Sequence, residues 1–199
     1  MKNTYANETK NQSKNISEDI IDMILEDHKP IKKHIKILKD LEVDIDERKE
    51  TFESFASQLD AHAQSEERTL YEFMKKEDDL LEEALEGDVE HGLAKQLIEE
   101  LKDSDDDAMW SAKAKVLAEM VEHHIEEEEE DIIPDFRKHS EKSERSQLGQ
   151  EYMDLKLELE SGDGVEVGNG VLTKASSSNG QSKKKNRDID HSRERSHRD

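Results

Sequence analysis

The sequence predicts an all-α protein: an up-down-up-down bundle of four helices with a short fifth helix and a disordered C-terminal tail. Two observations carry this. Charged residues make up 41% of the 199 residues and aromatics 4%, with only two prolines and eight glycines, a balance that suits long amphipathic helices. Apolar residues also recur every three or four positions through four long stretches, the spacing that keeps one face of a helix turned inward.

The first stretch spans about 18 to 40, with Ile21, Ile24, His28, Ile31, Ile35 and Leu38 on its stripe. Asn15 or Ser17 opens it, Asn15 and Glu18 having the spacing of a capping box. Pro30 removes the bond to the carbonyl of Glu26, which predicts a kink or a tightened turn. The second runs from about 46 to 76 and carries Phe52, Phe55, Leu59, His62, Glu66, Leu70 and Phe73. The third, about 79 to 102, carries Leu80, Ala84, Gly87, His91, Ala94, Ile98 and Leu101. An acidic turn follows at 103–107, with Ser104 and Asp107 at capping spacing. The fourth, about 105 to 138, carries Trp110, Ala114, Leu117, Val121, His124, Glu128 and Ile132, and meets Pro134. Leu148, Tyr152, Leu155 and Leu159 predict the fifth helix, lying across the bundle.

Outside these stretches the periodicity stops. Residues 1–16 are polar and predict a loose leader, leaving 17–161 as the folded domain. The segment 162–199 holds five of the eight glycines, a Ser/Asn/Gln run and the cluster Lys183, Lys184, Lys185 and Arg187, a composition that predicts disorder. It contains eight Lys/Arg and six Asp/Glu, so the net charge of −22 becomes −24 on the rest. Such acidity repels nucleic acid and anionic membrane and attracts cations. The absence of cysteine excludes disulfides, thiolate catalysis, iron–sulfur clusters and zinc fingers. The N-terminus lacks the apolar run of a signal peptide and no stretch approaches a membrane span, so a soluble, cytoplasmic protein is expected.

The chemistry lies in the stripes. Each of the four carries one histidine in phase with its apolar residues, and on the second and fourth a glutamate follows one turn later: His62 with Glu66, and His124 with Glu128. A buried glutamate costs several kcal/mol unless paired, and no lysine or arginine sits on these stripes. A metal is the natural counter-charge. An internal repeat agrees, HAQSEERTLYE from His62 superposing on HIEEEEEDIIP from His124, and DHKPIKKHIKIL on EHGLAKQLIEEL, which pairs His28 with His91. Two hairpins related by a pseudo-twofold axis would place a symmetric site at their junction. The repeat also selects His124 over His123. Four imidazoles and two carboxylates exceed what one tetrahedral zinc needs and suit a pair of iron or manganese ions. A ferritin-like site is disfavoured, because it needs Glu-x-x-His on two helices and none of the predicted helices carries one.

The paired H-x-x-x-E-E motifs, with a lone DH and EH on the first and third helices, resemble the hemerythrin-like (HHE) cation-binding family over about residues 18 to 138. The resemblance implies a bundle of hemerythrin type and a non-haem centre of two iron ions, oxo- or hydroxo-bridged. It implies His28, His62, His91 and His124 as terminal ligands, Glu66 and Glu128 as bridges, and dioxygen, nitric oxide or a peroxide-type molecule as the small ligand. The oxygen carriers have a second histidine one turn after the first on the third helix, where this chain has Lys95. That departure favours redox chemistry, sensing or iron handling over oxygen transport. The iron-centre repair branch has a similar ligand set, but its cysteine-bearing N-terminal segment has no counterpart here.

The alternative reading is a metal-independent, acidic helical interaction protein whose inward histidines are relics. His34 and His123 fall off the stripes, and His139, His191 and His197 are expected in solvent. Glu67 and Glu129 are expected at the surface or supporting ligands, and Trp110 as a plug at the end of the bundle.

Overall fold

The computed structural model describes residues 19–161, and every regular element among them is helical. The proposed leader, the tail, and the capping box of Asn15 and Glu18 lie outside the described residues. Helix α1 (Ile20–Lys39) is capped by Asp19, whose carboxylate accepts from the Ile21 N–H at 3.1 Å, and it runs on through Pro30. The second stretch, expected as one helix, is two: α2 (Ile45–Arg68) and α3 (Leu70–Met74), separated by Thr69 at φ −124° and ψ −78°. Helix α4 is Leu81–Lys102.

Helix α5 (Asp107–Glu127) starts later than its predicted position. Asp106 takes the capping role expected of Ser104, accepting from the Met109 N–H at 2.7 Å. A π-helical turn, Glu128–Ile132, then leads into α6 (Ile133–His139). Pro134 does not end the stretch, because it sits in the first turn of α6, where a missing N–H costs little. Helix α7 (Lys142–Glu160), opened by a capping box of Glu141 and Glu144, has 19 residues and is therefore not the short helix expected.

Helix α1 packs against α2 and α5, α4 closes on α5, and α7 lies against α1 and α2. Short connections make successive long helices antiparallel neighbours. The core formed in this way is divided. One apolar block joins Ile31, Ile35 and Leu38 to Phe52, Phe55, Leu59, Ile98, Leu101, Trp110, Leu117 and Val121. The other joins Ile20, Ile21 and Ile24 to Leu70, Tyr71, Met74, Leu80, Ile132, Phe136 and Tyr152. Along the chain the buried histidines and glutamates fall where the two blocks meet: His28, His62 with Glu66, His91, and His124 with Glu128, Ile125 of the first block lying between the last two.

The first block is closed by Arg48, which is buried. Its guanidinium donates to the Leu38 carbonyl at 2.6 Å and to the Ser111 hydroxyl at 2.6 Å, satisfying a carbonyl that the last turn of α1 leaves without a helical partner. It also lies 5.7 Å from the ring centre of Trp110, which packs edge-on against Phe52. Trp110 does plug the end of the bundle. Among the described residues, no helix is long and apolar enough to cross a membrane.

Gly87 occupies the stripe of α4 because Tyr71 comes too close for a side chain. A Cβ there would stand 2.6 Å from the Tyr71 hydroxyl and 2.7 Å from its ring, and Tyr71 is fully buried with no room to withdraw. Gly87→Ala is therefore expected to destabilise the fold by about 1–3 kcal/mol, despite alanine's better helix propensity. Gly92, where an added Cβ meets nothing within 4 Å, is the control. Gly92→Ala should be neutral or stabilising by up to about 1 kcal/mol. Urea denaturation of both variants checks the pair, and equal midpoints would refute the steric reading.

Candidate metal centre

Each inward histidine arrives by helical phase, one or two turns from the apolar residues that fix its helix. Two groups of potential ligand atoms result, each with its atoms within 4.8 Å of one another: His28, His62, Glu66 and Glu128; and Glu66, His91 and His124. All six residues selected from the sequence are thus brought together. Glu66 is common to both groups, whereas Glu128 falls in the first alone. His124, not His123, faces the interior: its side chain is 5% exposed and that of His123 67%.

The atoms facing the centre lack partners. His28 Nε2, His62 Nε2 and both carboxylate oxygens of Glu66 and of Glu128 are buried without a hydrogen bond. His28 Nε2 lies 3.2 Å from Glu128 Oε2, and His62 Nε2 lies 3.2 Å from Glu66 Oε1. His91 Nε2 and His124 Nε2 face each other at 3.1 Å, so without a cation one of them must carry a proton to bond the other. Orphaned buried groups of this kind are costly. A donor set of imidazole nitrogens and carboxylate oxygens suits a transition-metal cation.

The outward nitrogens, by contrast, are held. His28 Nδ1 lies 2.8 Å from Glu129 Oε1, His91 Nδ1 lies 3.3 Å from Glu67 Oε1, and His124 Nδ1 lies 2.6 Å from Glu90 Oε2. His62 uses a relay from α7. The Tyr152 hydroxyl donates to Asp27 Oδ2 at 2.7 Å and has one proton to give, so it accepts from His62 Nδ1 at 2.9 Å. A donating Nδ1–H in each ring leaves Nε2 as the nitrogen that faces the centre, the tautomer a metal ligand needs, and the His91–His124 contact alone requires a proton there when no cation is present.

The repeat is visible in these contacts. Glu67 and Glu129 are equivalent positions, as are Asp27 and Glu90, the acidic residues that precede His28 and His91 in the chain. Glu129 and Glu67 therefore each contact a candidate ligand, His28 and His91. Asp27, Glu90 and Tyr152 were not singled out as site residues, although the DH and EH pairs and the phase of Tyr152 on its stripe were the signals. Lys95 is exposed, while Ala94 beside it is buried, so a side chain at 95 points away from the centre. His34 is half-buried outside both groups, and His139 is exposed.

Burial drives the electrostatics. It raises the Glu66 carboxyl well above the usual range, and the charge of Glu128 adds to the effect. Burial also acts to raise Glu128, but the close approach of His28 and the charge of His124 outweigh it and hold that carboxyl low. Burial pushes His62 down to about 4. His124 moves up, because its bond to Glu90 overcomes the desolvation that would lower it. Without a metal, burial and the charge of Glu128 accordingly favour the protonated form of Glu66. Tyr71, stacked on His91 at 5.3 Å, has a buried hydroxyl with no partner.

A family model described as hemerythrin HHE cation binding domain matches residues 19–136. No curated protein and no solved structure gives a match.

Proposed function

The chain belongs to the hemerythrin HHE cation-binding family, whose model covers well over half of it, and on that premise we propose that it is a non-haem di-iron protein. His28, His62, His91 and His124 would hold the ions terminally and Glu66 and Glu128 would bridge them. The observation that carries this reading is the set of six buried, unpartnered ligand atoms on His28, His62, Glu66 and Glu128, beside the facing Nε2 atoms of His91 and His124. Six ligand side chains overfill one tetrahedral ion and suffice for two.

When bound, two iron ions would supply one-electron chemistry and open positions for dioxygen, nitric oxide or a peroxide-type ligand. The chain's residues prepare for it. The Nδ1–H donors of the four histidines fix ring orientation through Glu129, Glu67, Glu90 and the Tyr152–Asp27 pair. The apolar blocks keep bulk water from the centre. Glu66, sharing its oxygens between both ligand groups, would release its proton as the cations enter, which couples loading to pH. With Lys95 outside, no fifth histidine is available, which favours reduction or sensing of small oxidants, or iron handling, over oxygen carriage. The metal-independent reading leaves the inward atoms of His28, His62, Glu66 and Glu128 buried without partners.

The test is elemental analysis with an optical spectrum of protein produced in iron-replete medium. About two irons per chain and near-ultraviolet absorption are expected. One zinc and no iron would refute the di-iron reading.

A further inference from the structure

The four outer carboxylates occupy equivalent places in the two hairpins but are not equivalently charged. Beside His28, Glu129 is paired with Lys32 Nζ at 2.7 Å. Beside His62, Asp27 is paired with Lys156. Both carboxylates of that half are neutralised. Beside His91 and His124, Glu67 and Glu90 make no ion pair with any lysine or arginine among the described residues. Lys95 stands at the repeat position of Lys32, yet makes no ion pair with Glu67.

Solvent screens part of the contrast, because the two carboxylates without a lysine partner are each more exposed than their repeat counterparts. The Glu129 and Asp27 side chains are 29% and 16% exposed, and those of Glu67 and Glu90 are 39% and 22%. Glu129, Glu67 and Glu90 each act through the imidazole they touch, and Asp27 acts on His62 through the Tyr152 hydroxyl. Each such carboxylate raises the basicity of the Nε2 on the far side of the ring. A lysine bonded to that carboxylate withdraws the effect and adds a positive charge. With Glu66 and Glu128 serving both ions as proposed, the two halves have the same kinds of direct ligand, although in the metal-free site Glu128 groups, among the four histidines, with His28 and His62 alone. Behind those ligands one half has two unneutralised carboxylates and the other has none.

We propose that the two halves of the centre bind metal in order: the half built by His91 and His124 fills first and holds its ion more tightly, and Lys32 and Lys156 make the half built by His28 and His62 the weaker. The proposal rests on the reading that the centre takes two cations. Lys156 and Tyr152 both belong to α7, so that helix sets the weaker half. A weaker position beside a tighter one lets a single ion be gained or lost while the other keeps the bundle closed.

The experiment is anaerobic calorimetric titration of the metal-free full chain with ferrous ion alone. The wild type should bind in two resolved steps, the first tighter by about 10–100-fold, the size of effect such outer partners have on affinity. Glu67→Gln with Glu90→Gln should weaken the first step and merge the two. Lys32→Met with Lys156→Met should tighten the second step, a gain that local unfolding does not imitate. Where that double change fails to fold, Lys32→Met alone carries the same test. Two ions of equal affinity in the wild type, or lysine variants that leave the second step no tighter, would overturn the ordering and leave the two-ion reading intact. No ferrous binding at all would remove both.

Discussion

Stripped of metal, the protein is expected to melt about 15 °C or more below its loaded form. A ligand that binds only the folded state stabilises it by about 4 kcal/mol when present at a thousand times its Kd, and two ions are proposed here. A change of 1 kcal/mol moves the melting temperature of a domain of this size by about 2–4 °C. The stabilisation should be large because the ligands divide the core. Six buried polar side chains lie between two apolar blocks, and without a cation His28, His62, Glu66 and Glu128 have no partner for their inward atoms. Differential scanning calorimetry of chelated and iron-loaded protein measures the gap. Coincident transitions would mean that these residues do not form a site coupled to folding.

The second expectation is a change of sign. Glu66→Leu should stabilise the metal-free chain and destabilise the iron-loaded one. In the metal-free protein Glu66 is fully buried, both its oxygens lack partners, and burial raises its carboxyl. A carboxyl with a raised folded-state pKa opposes folding at any pH above its unfolded value, and the penalty grows with pH until the folded value is reached. Leucine removes that penalty and fills a similar volume. Exchanges of buried charged groups for apolar ones often gain about 1–4 kcal/mol. The margin of Glu66→Leu over the metal-free wild type should be small near pH 4 and wider at pH 7. His62 titrates in the same window with the opposite sign, since burial lowers it to about 4, so the comparison must be between variant and wild type at each pH. With iron present the variant lacks the carboxylate common to both ligand groups and should melt below the loaded wild type. Urea denaturation with and without iron decides it, and a variant less stable in both states would show that Glu66 is satisfied without metal.

The parts of this molecule that periodicity could reach were legible in the sequence. A stripe with steps of three and four fixes which side of a helix faces inward, so His28, His62, Glu66, His91, His124 and Glu128 could be selected, and the repeat settled His124 against His123. The same stripe held information left unused. Ala94 lies on it, so the next residue, Lys95, must turn outward. Caps were misplaced because several polar residues compete near each helix start, and the geometry that favours Asp106 over Ser104 is decided by backbone angles. The helix interruptions left the stripe in step, since Glu66 to Leu70 and Glu128 to Ile132 keep a spacing of four. Adjacent buried neighbours such as Leu70 with Tyr71 give no sign of them either, since Ile20 with Ile21 and Leu117 with Ala118 are as buried within unbroken helices. The roles of Tyr152 and Lys156 depend on where α7 docks, and no local pattern encodes that.

Those two interruptions fall at matching places. After Glu66 the chain leaves helical angles at Thr69, whose N–H reaches back to the Glu66 carbonyl at 3.1 Å. After Glu128 it widens into the π turn, closed by the Ile133 N–H on the Glu128 carbonyl. In each case the carbonyl of the candidate bridging residue accepts a bond of irregular span, three residues on one side and five on the other, where a regular helix would use four. Each carboxylate thus sits beside a discontinuity of the main chain, between the two apolar blocks. In these two helical stretches the hydrogen-bond ladder is spliced at the site, the segment that serves one block ending where the segment that serves the other begins.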